Sequence, residues 1–386
     1  MKKLLFLTIL VLSRFTGLGQ DEDNRGKFRF FSLKFHSGRH YYTGTALKDK
    51  LKNGYTSVET RMGWQSKGNQ DWQKEHNYPS YGIGLYNGYV GDVDIFGSPH
   101  ALFGFITFPF GRSRRHNFQI EPAFGLTYNL KPFNLEHNAI NDAIGSRFAV
   151  YFALHAGGKY KLNREIDLLY GYDITHFSNG RTVTPNLGLN MMGFSTGFRY
   201  NFNAEQRKVD NSLHPQTILE ARPILPAKIR AAKLKQHYIS IYQAIGTVQN
   251  KDDAATSHRY LVSSSVLEYQ YKLNTKSAFS VGFDAFIDPS AKDTLEYAAN
   301  KTAQETFFPA VHVGYEFMIW RLAIRMQVGT YLTGIARELK GNTFIRPALR
   351  YNINDRLFAQ IGLKTMNGST ADWVEWGIGY RLPLRK

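Results

Sequence analysis

Two residues that could do chemistry together stand at the end of Asp173-Ile-Thr-His-Phe-Ser-Asn-Gly180, a few positions before Pro185-Asn-Leu-Gly-Leu-Asn190. His176 and Ser178 are two apart. On a β-strand that spacing puts both side chains on one face, roughly 6–7 Å apart along the backbone and able to lean together. An imidazole that removes the proton of a neighbouring hydroxyl turns serine into a nucleophile. The same pair on an interfacial strand could also be a solvated His and Ser, so the surrounding elements have to decide between the two.

Those elements are strands. Alternation of apolar and polar residues begins at Arg29-Phe-Phe-Ser-Leu-Lys-Phe-His-Ser-Gly38 and continues almost to the end. It predicts strands near 28–40, 56–67, 79–89, 100–111, 115–129, 149–162, 165–179 and 191–203. A second set follows near 237–249, 258–273, 277–288, 306–319, 321–334, 343–353, 356–366 and 371–382. In the seventh strand Leu168, Tyr170, Tyr172 and Ile174 form an apolar row; Asp167, Gly171, Asp173 and Thr175 form most of the other. In a membrane barrel the apolar row meets lipid and the polar row meets the lumen. His176 and Ser178 continue the lipid-facing row at its outer end, where a residue that works on a lipid headgroup belongs.

Composition agrees with a barrel. The chain has 28 Phe, 23 Tyr and 34 Gly but only 43% hydrophobic residues. A wall that is apolar at alternate positions needs no more. A soluble exported β-protein would share part of this bias. Lys2 and Lys3, the apolar run Leu4–Leu12 and Gly17-Leu-Gly19 resemble an export signal over residues 1–19, cut before Gln20. The absence of cysteine excludes disulfides, thiol metal sites and a lipoprotein anchor. No stretch is apolar for long enough to make a membrane helix. The net charge of +17 would suit nucleic acid, but export makes that partner unsuitable. Phosphate-bearing lipid is the partner expected instead. Protein partners and oligomeric state are left open.

Connections alternate between tight turns, such as Leu162-Asn-Arg164 and Trp320-Arg321, and longer polar loops such as 131–147 and 179–190. That is the pattern of periplasmic turns and extracellular loops, and it places 179–190 outside. Ser66–Tyr78 is the exception, a long connection on the turn side that could conceal a strand. Residues 20–203 form one eight-strand portion, 204–236 a periplasmic connector with a short basic helix over 227–234, and 237–386 a second portion. An all-β outer-membrane antiparallel barrel is expected, with about sixteen strands in one wall; the alternative is two tandem eight-stranded barrels. The portions could be repeats: Thr175–Gly180 can be laid on Leu363–Gly368, with Lys364 in place of His176 and Met366 in place of Ser178.

His176-Phe-Ser-Asn-Gly180 with Pro185-Asn186 and Gly188 resembles the signature of the PagL-type outer-membrane lipid A 3-O-deacylases (acyloxyacyl hydrolase-like), whose eight-stranded barrel would correspond to residues 24–203. The resemblance implies His176 as general base, Ser178 as nucleophile, and Asn179 with Gly180 at the oxyanion site. It implies Asn190 as third member, in the place of the family's glutamate. Asparagine can accept a hydrogen bond from imidazole and set its orientation, although it cannot stabilise imidazolium by charge. The expected reaction is hydrolysis of an ester-linked acyl chain of lipid A or a related lipid. The acyl chain would lie along Tyr170, Tyr172 and Ile174, and Arg181 would meet a substrate phosphate. The mechanism calls for no metal or cofactor. The alternative from a different class is a non-enzymatic pore, transporter or lipid-binding barrel.

Overall fold

The computed structural model describes residues 29–110, 115–163, 165–202, 228–294, 306–368 and 370–384. The export segment and most of the connector lie outside these residues. The first eight strands are β1 (Arg29–His40), β2 (Tyr55–Gln65), β3 (Ser80–Tyr89), β4 (Gly97–Phe110), β5 (His116–Leu130), β6 (Ala149–Lys161), β7 (Ile166–Ser178) and β8 (Leu189–Asn201). The second eight are β9 (Lys233–Val248), β10 (Tyr260–Asn274), β11 (Ser277–Ile287), β12 (Phe307–Ile319), β13 (Leu322–Tyr331), β14 (Thr343–Asn352), β15 (Leu357–Met366) and β16 (Thr370–Leu384). All neighbours run antiparallel, and each set closes on itself.

Closure is where the single sixteen-strand wall fails and the two-barrel alternative holds. β1 pairs with β8 from Phe30↔Asn201 to His40↔Met191, and β9 pairs with β16 through Ile245↔Trp376. The reason lies in the residues that face inward. Lys34 Nζ donates to Glu121 at 2.9 Å, while Arg61 joins Glu59 and Glu121. In the second barrel Arg325 donates to Glu268 at 2.6 Å, Arg350 to Glu316 at 3.3 Å, and Arg346 pairs with Asp284. All these side chains are buried. A charge removed from water needs its partner within hydrogen-bond reach. Each half carries its own partners, so each closes on a lumen narrow enough for side chains to fill.

The outer surface is the inverse of a soluble protein's. Ile83, Leu102, Leu126, Phe194, Phe198, Ile241, Phe283, Val313 and Ile378 are all exposed. Strands that present apolar residues outward and paired charges inward belong in a bilayer.

Both barrels have their longer loops at one end and their turns at the other. Ser66–Tyr78 is on the turn side and conceals no strand; it contains a short helix, Asp71–Glu75. Its length serves the second barrel. Thr275 Oγ1 donates to Glu75 Oε2 at 2.7 Å, and the His76 ring nitrogen lies 2.9 Å from Met318 O and packs edge-on to Phe317. The expected basic helix is absent among its described residues: 228–232 are irregular and Lys233 opens β9. The repeat alignment also needs correction. Lys364 is fully buried inside the second barrel, bonded to Tyr331 Oη and Asp372, with Nζ 4.0 Å from the Trp373 ring centre. His176 faces outward. Lys364 continues the buried inward row Phe358, Gln360 and Gly362 of β15, whereas His176 is on the outward row of β7, so the two strands are laid together one residue out of phase.

Candidate active site

β7 carries His176 and Ser178 to its loop end on the outward face, with Phe152 and Val150 of β6 opposite them on one side. On the other side His176 is directly opposite Asn190 of β8. Antiparallel pairing of these strands therefore brings together two residues fourteen apart. The His176 Nδ1–H donates to Asn190 Oδ1 at 2.7 Å. This contact selects the tautomer in which Nε2 carries the lone pair.

Ser178 is buried. Its Oγ accepts from the Asn186 side-chain amide at 2.8 Å and from the Gly180 backbone N–H at 3.1 Å. No hydrogen bond joins Ser178 to His176 directly; in serine hydrolases such contacts commonly tighten only when substrate binds. With two donors already directed at Oγ, its own proton is the part left to give away.

The loop 179–188 folds around these atoms. Asn179 donates its backbone N–H to Asn186 Oδ1 at 3.1 Å, and its side chain reaches Val183 O at 2.9 Å and Ser146 Oγ at 3.3 Å. The backbone N–H of Asn179 is thus occupied, and the two donors that reach Ser178 Oγ are Gly180 and Asn186. Asn186 belonged to the Pro-Asn element legible in the chain, but its direction toward Ser178 depends on a loop conformation that spacing does not encode. Gly180 has φ +63°, and a Cβ there would come within 2.4 Å of Val374 in the second barrel. Glycine is required on both counts. Gly188 lies against the His176 ring, where a Cβ would be 3.0 Å from Cε1. Leu187 and Gly188 donate backbone N–H groups to Asp142 and Ala143 of the neighbouring loop.

Arg181 departs from its expected role. Its guanidinium lies 3.2 Å from Asp372 and 3.7 Å from Asp288, both fully buried in the second barrel. It is an inter-barrel tie, not a free rim cation for substrate phosphate. Tyr170, Tyr172 and Ile174 are exposed along the outer wall below His176, with Tyr170 stacked on His116 and Tyr172 against Phe194. Among the described residues, no group of three or more His, Cys, Asp or Glu is arranged to hold a metal ion.

Fold and site together define a membrane β-barrel with a serine, a histidine and an asparagine grouped at its loop-end rim. The chain belongs to the lipid A 3-O-deacylase (PagL) family of outer-membrane hydrolases: residues 56–199 match that family's model, and residues 237–385 match the model described as acyloxyacyl hydrolase, C-terminal domain. No curated protein matches the chain. Among solved structures, similar chains include the Acinetobacter baumannii outer membrane protein Omp33, at 7% identity over 93% of this chain and 100% of that one, with a TM-score of 0.17. A BenF-like porin from Pseudomonas fluorescens is 9% identical over 92% and 98%, with a TM-score of 0.23. Pseudomonas aeruginosa OccK11 is 10% identical over 95% and 98%, also at 0.23. The fold assignment stands on the strand pairing.

Proposed function

We propose that the chain hydrolyses an ester-linked acyl chain of lipid A or a related outer-leaflet lipid, with Ser178 as nucleophile, His176 as general base and Asn190 as the group that orients the imidazole. The observation that carries this reading is the pair of contacts around the two reacting groups. Asn190 holds Nδ1 and leaves Nε2 basic, while Gly180 N–H and the Asn186 amide converge on Ser178 Oγ. As Oγ attacks the ester carbonyl, its proton passes to His176 Nε2. The carbonyl oxygen arrives two bonds from Oγ, beside the same two donors, which take up its negative charge. His176 then returns the proton to the departing sugar oxygen. Water, deprotonated by His176, releases the fatty acid from Ser178 and restores the hydroxyl. The exposed row Tyr170, Tyr172 and Ile174 lets the acyl chain stay in the lipid phase throughout.

This reading places the loop end outside the cell, facing lipopolysaccharide. The pore alternative is disfavoured by lumens filled with paired charges. Mass spectrometry of lipid A incubated with the wild type and with Ser178→Ala tests the proposal. Loss of an ester-linked acyl chain is expected with the wild type alone. Unchanged acyl content with both would remove lipid A as the substrate.

A further inference from the structure

The active-site loop is held from two directions, and one of them is the second barrel. Gln249, immediately after β9, is completely buried. Its Oε1 accepts the Thr184 backbone N–H at 2.8 Å and the Thr184 hydroxyl at 3.3 Å. Its own backbone N–H donates to Arg181 O at 3.1 Å. Its Nε2 is committed to its own loop, donating to the carbonyls of Asp253, Thr256 and His258 at 2.9, 3.0 and 3.2 Å. Those three acceptors fix which way the amide points. The acceptor end must face the first barrel.

The two residues that Gln249 grips lie beside the two donors on Ser178. Arg181 follows Gly180, whose N–H reaches Oγ; Thr184 is two residues before Asn186, whose amide reaches Oγ. The one Thr184 hydroxyl proton is shared with Asn250 O, which it meets at the shorter distance of 2.8 Å. Val374 closes the space beside Gly180, so the backbone there cannot retreat toward the second barrel. We infer that Gln249 of the second barrel is a positioning residue for the deacylation reaction: through Arg181 O and Thr184 it sets the Gly180 and Asn186 donors around Ser178. The second barrel therefore belongs to the catalytic unit, beside a barrel that already closes alone. This inference rests on the proposed role of Ser178.

Replacing Gln249 by Ala removes the side-chain grip on Thr184 and the tether of its own loop. It deletes no group that touches substrate. Loss of a single positioning contact of this kind is expected to lower kcat roughly tenfold or more with KM within about twofold. The experiment uses the full-length protein in detergent, with lipid A turnover measured alongside the labelling rate of Ser178 by an alkyl fluorophosphonate. Both rates should fall together in Gln249→Ala while heat-modifiable gel migration stays that of the folded protein. Thr275→Val, which removes an inter-barrel bond at the far end, should keep both rates within about twofold. In an Asn186→Ala background the Gln249→Ala change should add less than about twofold, because the donor its side chain positions through Thr184 is already gone and the backbone N–H to Arg181 O is kept. Thr184→Val, which keeps the N–H contact and loses the hydroxyl, gives a smaller fall and decides the matter if Gln249→Ala does not fold. Wild-type rates in Gln249→Ala, or an undiminished effect in the Asn186→Ala background, would overturn the inference. If the wild type leaves lipid A intact, the deacylase proposal fails, yet the labelling rates still decide the role of Gln249.

Discussion

At the residue scale, the proposed mechanism turns on a neutral third member. Asn190 Oδ1 accepts from His176 at 2.7 Å but would bring no charge to the imidazolium that the proposed attack by Ser178 forms. A carboxylate at this position would add that charge. Asn190→Glu is therefore expected to preserve or raise turnover, and Asn190→Leu to lower it by roughly ten- to a hundredfold without unfolding the barrel. Steady-state kinetics with heat-modifiable migration as the folding control check both; unchanged turnover in Asn190→Leu would remove Asn190 from the mechanism. Much of this site was legible in the chain. His176 and Ser178 share a face because strand periodicity requires it, and the position of Asn190 after Pro185 pointed by resemblance to the residue found bonded to His176. Asn186 and Gln249 were not legible in that way. Their contacts depend on how a ten-residue loop folds and on which surface of another barrel meets it, and neither has a period in sequence.

At the element scale, the long turn-side connection shows why loop length alone misleads. Ser66–Tyr78 resembled a possible missed strand, yet its helix places Glu75 and His76 against Thr275, Lys276, Phe317 and Met318. His76 lies outside the membrane-spanning strands. Burial, with Lys276 and Lys228 nearby, lowers its pKa from 6.5 to about 4, partly offset by the bond to Met318 O. The sign follows from the neutral form being the one that packs. Folding is favoured fully above the unfolded value, and that contribution is lost as pH falls from 6.5 toward 4. Thermal unfolding in detergent should thus be destabilised between pH 7.5 and 4.5 by on the order of 2 kcal/mol more in the wild type than in His76→Gln. Parallel pH dependence in the two proteins would show that His76 does not report on this contact.

At the scale of the whole molecule, the sixteen strands were legible and the number of walls was not. Alternation locates each strand to within a few residues, but it is blind to whether β8 pairs onward or back to β1. The deciding quantity is the matching of buried charges across a lumen, such as Lys34 with Glu121 and Arg325 with Glu268, residues far apart in the chain. Filled lumens predict no steady single-channel conductance in planar bilayers, whereas a reproducible open channel would favour the pore. Two parallel barrels joined at both ends also give the active-site loop a wall on each side. The proposed function turns on Ser178 as a nucleophile activated by His176. Peptide mass spectrometry after reaction of the intact protein with an alkyl fluorophosphonate tests it most directly. The adduct is predicted on Ser178 in the wild type and Asn190→Glu, and lost in His176→Ala. A wild-type adduct on any other residue, or undiminished labelling of Ser178 in His176→Ala, would contradict the account.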